Sequence, residues 1–163
     1  MRNFEDYQRT MQIKPTLLQA AKTGDLDSIK ILASDLSTIN KKDENGYSPL
    51  MYAAYYGHIV PVEYLISVGA DVNSIDAGKN SILMGACFKG HSEVVEILLK
   101  KGADLHFKNQ QGLTATDFAR MFGRFELVQK LESKKTSKAI QLLKSLKIWV
   151  FYFEKQITKR SLK

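Results

Sequence analysis

The amino-acid sequence predicts an all-α stack of four helix-turn-helix units followed by a C-terminal helical extension. Three observations support this: a glycine every 33 residues, alanines at the same interval, and apolar residues spaced three or four apart after each glycine. Because these positions repeat in one phase, the interval marks a structural unit. The recurring glycines are Gly24, Gly57, Gly90 and Gly123.

The core positions repeat in step with the glycines and define the organisation of the chain. They predict units of about 10–42, 43–75, 76–108 and 109–134, which form one repeat domain over residues 1–134. A separate segment follows over residues 135–163. The repeating positions are Leu17, Leu50, Leu83 and Thr116; Ala20, Ala53, Ala86 and Ala119; Ile29, Val62, Val95 and Val128; and Leu32, Leu65, Leu98 and Leu131.

The second unit illustrates how each helix is expected to begin and end. Ser48 is a suitable N-cap, and Pro49 suits the first helical position, where its missing N–H leaves no hydrogen bond unmade. Gly57 can take the left-handed conformation that ends the first helix. A second helix is predicted from Ile59 until Gly69. Each unit is therefore expected to contain two short helices.

Polar segments rich in Asn, Asp and Gly join the units: "INKKDENGY", "VNSIDAGKN" and "LHFKNQQGL". They predict tight turns or hairpin tips that project from the stack. Small residues at Ala53, Ala54, Ala86 and Cys87 allow the first helices to approach closely. We therefore interpret Cys87 as a packing residue rather than a reactive thiol.

Composition limits the class of protein. The chain has 163 residues, of which 44% are hydrophobic and 25% charged, which is enough for one globular domain with a buried core. Its single cysteine cannot form an internal disulfide, and the N-terminus lacks the apolar run of a secretory signal. No stretch reaches the roughly 18 to 20 apolar residues that span a bilayer. A cytoplasmic location is expected.

Two stretches carry the repeat most completely, "NGYSPLMYAAYYGHIVPVEYLISVGADVN" and "SILMGACFKGHSEVVEILLKKGADLH". They resemble ankyrin repeats, whose pattern runs G-x-T-P-L-H-x-A-A-x-x-G-H, then V-V-x-x-L-L, then G-A-D-x-N. The resemblance covers about residues 10–134 and is weaker in the first and fourth units. The histidine of the Thr-Pro-Leu-His motif is absent throughout. The resemblance implies an ankyrin-repeat solenoid with hairpin-like loops that binds another protein.

The resemblance also implies where that partner binds. In this family the two positions before Gly-His end the first helix on the concave face, the loop tips extend this face, and both vary with the partner. Here these positions form a band of large apolar or aromatic side chains, with a loop-tip tyrosine at its edge. The predicted protein-binding residues are Tyr47, Tyr55, Tyr56, Phe88, Lys89, Met121 and Phe122.

Two interpretations of this band are open. Contiguous exposed apolar surface usually marks a binding site, and Tyr, Phe and Met are enriched at interface centres. The same rings can instead pack against neighbouring units or against the C-terminal segment. The first interpretation predicts rings that are open to a partner, and the second predicts rings that support the fold.

The C-terminal segment is both basic and apolar. From Lys134 onward nine Lys or Arg face one acidic residue, a net charge of +8, whereas the preceding residues carry −1. Apolar residues at intervals of three and four predict an amphipathic helix over 135–163, which can cap the fourth unit. Its basic side can instead contact an anionic membrane or another polyanion, whereas no base-recognition module favours sequence-specific nucleic-acid binding. The basic residues in question are Lys144, Lys147, Lys155, Lys159 and Arg160.

Catalysis, a cofactor and a metal site are not predicted. Of the three histidines, His58 and His91 occupy the Gly-His position, where local capping is expected, and His106 stands apart. No pair of His and Cys has zinc-ligand spacing. We therefore predict a non-catalytic protein-binding module that acts as an adaptor or an inhibitor. The alternative is a peripheral membrane or polyanion-binding protein that uses the basic helix.

Overall fold

A computed structural model of the protein describes residues 15–134, and this part of the chain is helical with polar connecting loops. One isolated β-bridge, between Ile75 and Ser81, lies in a loop within this part. The helices are α1 (Leu17–Thr23), α2 (Leu26–Leu32), α3 (Leu36–Ile39), α4 (Pro49–Tyr56), α5 (Ile59–Ser67), α6 (Ile82–Lys89), α7 (Ser92–Lys100), α8 (Ala115–Met121) and α9 (125–134).

The helices form two layers. The inner layer consists of α1, α4, α6 and α8, which pack side by side in that order. The outer layer contains α2, α5 and α7, each packed against the inner helix that precedes it, and α5 also packs against α2 and α7. The predicted all-α solenoid of helix-turn-helix units is confirmed, whereas the predicted extension over 135–163 lies outside the described residues.

Small side chains set the distance between the inner helices. Ala53, Ala54, Ala86 and Cys87 have no exposed surface, which confirms their predicted packing position. Burial raises the pKa of the Cys87 thiol to about 12. The thiol is therefore protonated at neutral pH and behaves as a small apolar side chain.

The predicted ends of α4 are confirmed. Ser48 Oγ accepts a hydrogen bond from the backbone N–H of Met51 at 3.2 Å, and Pro49 is the first helical residue. Gly57 follows the helix in the left-handed conformation, with φ of 78°. A Cβ at Gly57 would lie 2.7 Å from the imidazole of His91, so both the turn and the close approach require glycine.

The local capping role expected for His58 and His91 is wrong. Each residue precedes an outer helix, but neither side chain makes a capping hydrogen bond. His58 Nε2 lies 3.1 Å from the carbonyl oxygen of Lys22, and His91 Nε2 lies 3.0 Å from that of Tyr55. Because a carbonyl only accepts, each Nε2 donates its proton. The bond joins the imidazole to the preceding unit instead of to its own helix.

Other side chains also form hydrogen bonds between neighbouring units. Arg124 takes the place of the histidine in the fourth unit, and its Nε donates to the carbonyl of Phe88 at 3.3 Å. Asn40 and Asn73 form a second set, each accepting at 2.9 Å a backbone N–H from the following unit. Hydrogen bonds between units therefore recur at fixed places along the stack.

The helix α3 is not predicted by the sequence. Gly69 and Gly102, with φ of 102° and 94°, form the turns after the second and third outer helices. Leu36 occupies the equivalent place in the first unit, where a residue with a Cβ disfavours that conformation. The chain instead makes one short helix, whose N-cap Asp35 accepts a hydrogen bond from the backbone N–H of Ser37 at 3.0 Å.

Candidate functional site

Side-chain hydrogen bonds hold the loop tips beside the inner helices. Asp43 Oδ1 accepts from the backbone N–H groups of Asn45 and Tyr47, at 3.0 and 2.9 Å. One unit later, Asp76 Oδ1 accepts from the backbone N–H of Asn80 at 2.7 Å. The two tips are also linked, because the carbonyl of Asn45 accepts a bond at 2.9 Å from the backbone of the second tip. Tyr47 is therefore held in its loop tip beside the inner helices.

The inner helices bring four predicted rings into contact. Tyr55 stacks on Phe88, with centroids 6.1 Å apart and planes at 21°. Phe88 meets Phe122 edge to face at 4.4 Å, and Tyr56 meets Tyr55 in the same way at 5.3 Å. Rings from α4 and α6 and the residue that follows α8 thus form one continuous row across three units.

Two rings that are not predicted from the sequence lie at the ends of this row. Tyr52 meets the predicted Tyr47 edge to face, with centroids 5.4 Å apart, and this pair lines one pocket together with Tyr55 and Tyr56. Phe118 lies at the other end, 6.4 Å from Phe122. We refer to the whole row as the aromatic face, which consists of Tyr47, Tyr52, Tyr55, Tyr56, Phe88, Phe118 and Phe122.

Two neighbouring pockets open along the aromatic face and share Tyr47, Met51 and Tyr55. The first, the Tyr52 pocket, has a volume of about 280 Å³, and the second, the Gly85 notch, about 270 Å³. The Tyr52 pocket is lined by the three shared residues and by Lys22, Tyr52 and Tyr56. The Gly85 notch is lined by the shared residues and by Phe88, Phe118 and Phe122, with Asp76, Asn80, Ser81 and Gly85 also at its wall.

Lysines flank the rings. The Nζ of Lys89 lies 5.0 Å from the ring centroid of Tyr55, and the Nζ of Lys22 lies 5.8 Å from that of Tyr52. Both distances suit a cation–π interaction. The predicted Lys89 therefore lies on the aromatic face, whereas the predicted Met121 is exposed and lines neither pocket.

A phenol–carboxylate hydrogen bond supports one end of the face. The Tyr52 hydroxyl donates to Asp43 Oδ2 at 2.7 Å, and this bond, with burial, raises the pKa of Tyr52 to about 12. Burial works to raise the pKa of Asp43, but hydrogen bonds from Tyr52 and from backbone amides together hold it below its ordinary value. The pKa of Tyr47 is raised by burial first and then by the negative charge of Asp76.

The described residues offer no metal-binding cluster of three or more His, Cys, Asp or Glu side chains. Between residues 15 and 134, no helix has the length and apolar character to cross a bilayer. The basic residues predicted to contact a polyanion fall outside the described part of the chain. They are Lys144, Lys147, Lys155, Lys159 and Arg160.

Comparison with protein families matches this chain to a model described as ankyrin repeats, which contains three copies of the repeat. The matched residues are 17–109 and 62–141. These two ranges overlap, and together they include every described helix and the whole aromatic face. A comparison with curated proteins found no match.

Proposed function

Because the chain belongs to the ankyrin repeat family, whose members are generally protein–protein interaction modules and typically not enzymes, we propose that its aromatic face binds a partner protein. Such binding is the whole activity and requires no reaction. It makes the chain an adaptor where the partner stays active, and an inhibitor where the face covers the partner's own functional surface.

The observation that carries this proposal is the continuity of the rings together with their exposure. Tyr56 is 41% exposed and Phe122 is 44% exposed, although both belong to one row of ring contacts. Full burial of a large apolar side chain is favourable by roughly 1.5 to 3 kcal/mol of free energy relative to its exposure to water. A contiguous row that keeps part of this surface in water is typical of a protein interface.

The surrounding structure favours binding because it orders the rings before a partner arrives. The rings of Tyr55 and Phe88 form part of the aromatic face. The backbone carbonyls of the same two residues accept hydrogen bonds from His91 and Arg124, respectively. At the loop tip, Tyr47 is held through its backbone N–H by Asp43. A partner therefore loses little binding free energy to the ordering of this surface.

Affinity capture with matched variants tests the proposal. The variant Tyr56→Ala/Phe122→Ala truncates the two exposed rings, which contribute least to packing of the fold. We expect it to lose the protein that the intact chain captures. With that protein purified, the dissociation constant should rise by roughly thirtyfold, on the order of 2 kcal/mol at an interface centre.

The control variant is Ile31→Ala/Val60→Ala. It removes two apolar side chains that are 73% and 54% exposed but lie on the outer helices α2 and α5. It should retain the partner at the affinity of the intact chain. Circular dichroism should give the same helical signal for all three proteins. Equal affinity of the ring variant and the intact chain, or loss of helix in the ring variant, would contradict the proposed site.

A further inference from the structure

Gly85 stands in the middle of α6, where the helix itself gives no reason for a glycine. Its φ is not positive, unlike that of Gly57 and the other glycines that end helices. A Cβ added at Gly85 would meet Cδ2 of Tyr55 at 3.8 Å, an ordinary contact distance. Glycine also disfavours a helix relative to alanine. Neither backbone geometry nor packing therefore requires this residue.

The missing side chain does have an effect on the aromatic face. Tyr52 and Phe118 occupy the same position as Gly85 in the second and fourth units, and each places a ring in the row. Gly85 places no ring at this position, and the Gly85 notch of about 270 Å³ opens there, beside the continuous row of Tyr55, Phe88 and Phe122. The notch has the size and the walls to receive one side chain of a bound protein.

The notch combines aromatic walls with one carboxylate. Asp76 Oδ2 accepts a hydrogen bond from the side-chain amide of Asn80 at 3.1 Å, and Oδ1 accepts two from the same residue. A carboxylate offers about four acceptor positions, so Asp76 retains acceptor capacity. Within the described residues it forms no ion pair. The charge of Asp76 also contributes to the raised pKa of Tyr47 across the notch, after burial, which indicates a negative potential there.

We infer that the Gly85 notch receives an arginine side chain of the partner protein. A guanidinium stacks on aromatic rings and pairs with a carboxylate through a planar set of donors. Lysine lacks the planar stacking group, and an apolar side chain would cover Asp76 without pairing its charge. The rings already attract a cation, since Lys89 lies over Tyr55 although it does not line the notch. This inference rests on the proposed function, because it names what the aromatic face recognises.

Selection of a displayed library of random peptides on the full chain tests the inference. Peptides that bind the intact chain but not Gly85→Leu, which fills the notch, should share an arginine. Replacing that arginine by citrulline, which keeps the shape and removes the charge, should weaken binding by at least about tenfold. Asp76→Asn should lower the affinity for the arginine peptide by roughly three- to tenfold. Glu63→Gln, the same charge change on the outer helix α5, should leave the affinity unchanged.

The outcomes separate this inference from the proposed function. The arginine assignment is overturned if the selected peptides require Tyr56 and Phe122 but bind Gly85→Leu unchanged. It is also overturned if they present leucine, lysine or an acidic residue to the notch. Either result leaves the aromatic face as the binding site. Equal binding by Asp76→Asn and the intact chain also overturns the assignment. Peptide binding that is indifferent to the rings contradicts the proposed function itself. Asp76→Asn keeps the size of the side chain and one oxygen that can accept the backbone N–H of Asn80, so the test does not depend on the folding of Gly85→Leu.

Discussion

Thr116 in α8 occupies the position that Leu17, Leu50 and Leu83 hold in the earlier units. It is buried, and its hydroxyl has no hydrogen-bond partner within the described residues. A buried hydroxyl without a partner destabilises the folded state, because it gives up its hydrogen bonds with water. The sequence repeat identifies this as a core position, but only the packed structure reveals that the hydroxyl is unpaired.

The variant Thr116→Val should therefore be more stable than the natural chain. It keeps the shape of the side chain and removes the hydroxyl, so the free energy of unfolding should rise by about 1 kcal/mol. Urea unfolding followed by circular dichroism measures the change. Thr114→Val makes the same replacement at the N-cap of the same helix and should lower the free energy of unfolding by about 1 kcal/mol. A destabilised Thr116→Val would show that the hydroxyl contributes to stability.

The bond between Tyr52 and Asp43 leads to a prediction about pH. Tyr52→Phe should lower the free energy of unfolding at pH 7 by about 1 kcal/mol, because it removes this hydrogen bond. The pKa of Asp43 is lowered from 3.8, so its contribution is present above pH 3.8 and is lost as the pH falls through the folded-state value. The difference between the two proteins should therefore shrink below pH 3.8.

Unfolding curves measured across the acid range check this expectation. Tyr56→Phe is the control, because the Tyr56 hydroxyl has no hydrogen bond among the described residues; its effect should stay within about 0.5 kcal/mol at every pH. A stability loss in Tyr52→Phe that stayed constant down to strong acid would exclude the Asp43 carboxylate as the source.

At the scale of the helices, hydrogen bonds between neighbouring units hold the stack together. His91 joins the beginning of α7 to the end of α4, through the carbonyl of Tyr55. His91→Ala should lower the free energy of unfolding by about 1 to 2 kcal/mol, since a partly buried carbonyl loses its donor. His91→Arg should recover part of this loss, because Arg124 makes the equivalent bond one unit later.

Thermal unfolding of the two His91 variants measures both effects. His106→Ala removes an exposed imidazole that makes no side-chain hydrogen bond in the described part of the chain, and it should be nearly neutral. If His91→Ala and His106→Ala behaved alike, the bond to the preceding unit would contribute nothing measurable.

The sequence predicts single elements well where the signals are local. The ends of α4 depend on Ser48, Pro49 and Gly57, and each acts through its own backbone or its nearest neighbours. The His58 and His91 bonds could not be predicted in this way, because each reaches a carbonyl in another unit. A contact over that distance depends on how the units stack, which no short motif specifies.

At the scale of the whole molecule, the repeat interval predicts the stack and part of the aromatic face. Tyr55 and Phe88 are predicted because they lie just before the recurring Gly-His. Tyr52 and Phe118 are not predicted, although one 33-residue register joins them to Gly85 and marks the three positions as equivalent. The ring contacts and the notch depend on side-chain orientation between units, so the sequence alone does not supply them.

The hydrogen bonds from His91 and Arg124 to the carbonyls of Tyr55 and Phe88 have a kinetic consequence. These carbonyls belong to the residues whose rings form the centre of the aromatic face, so backbone and ring are restrained together. Encounter with a partner should then proceed without a slow rearrangement, and differences among ligands should appear mainly in how quickly they leave. The backbone of this surface should superimpose closely before and after association.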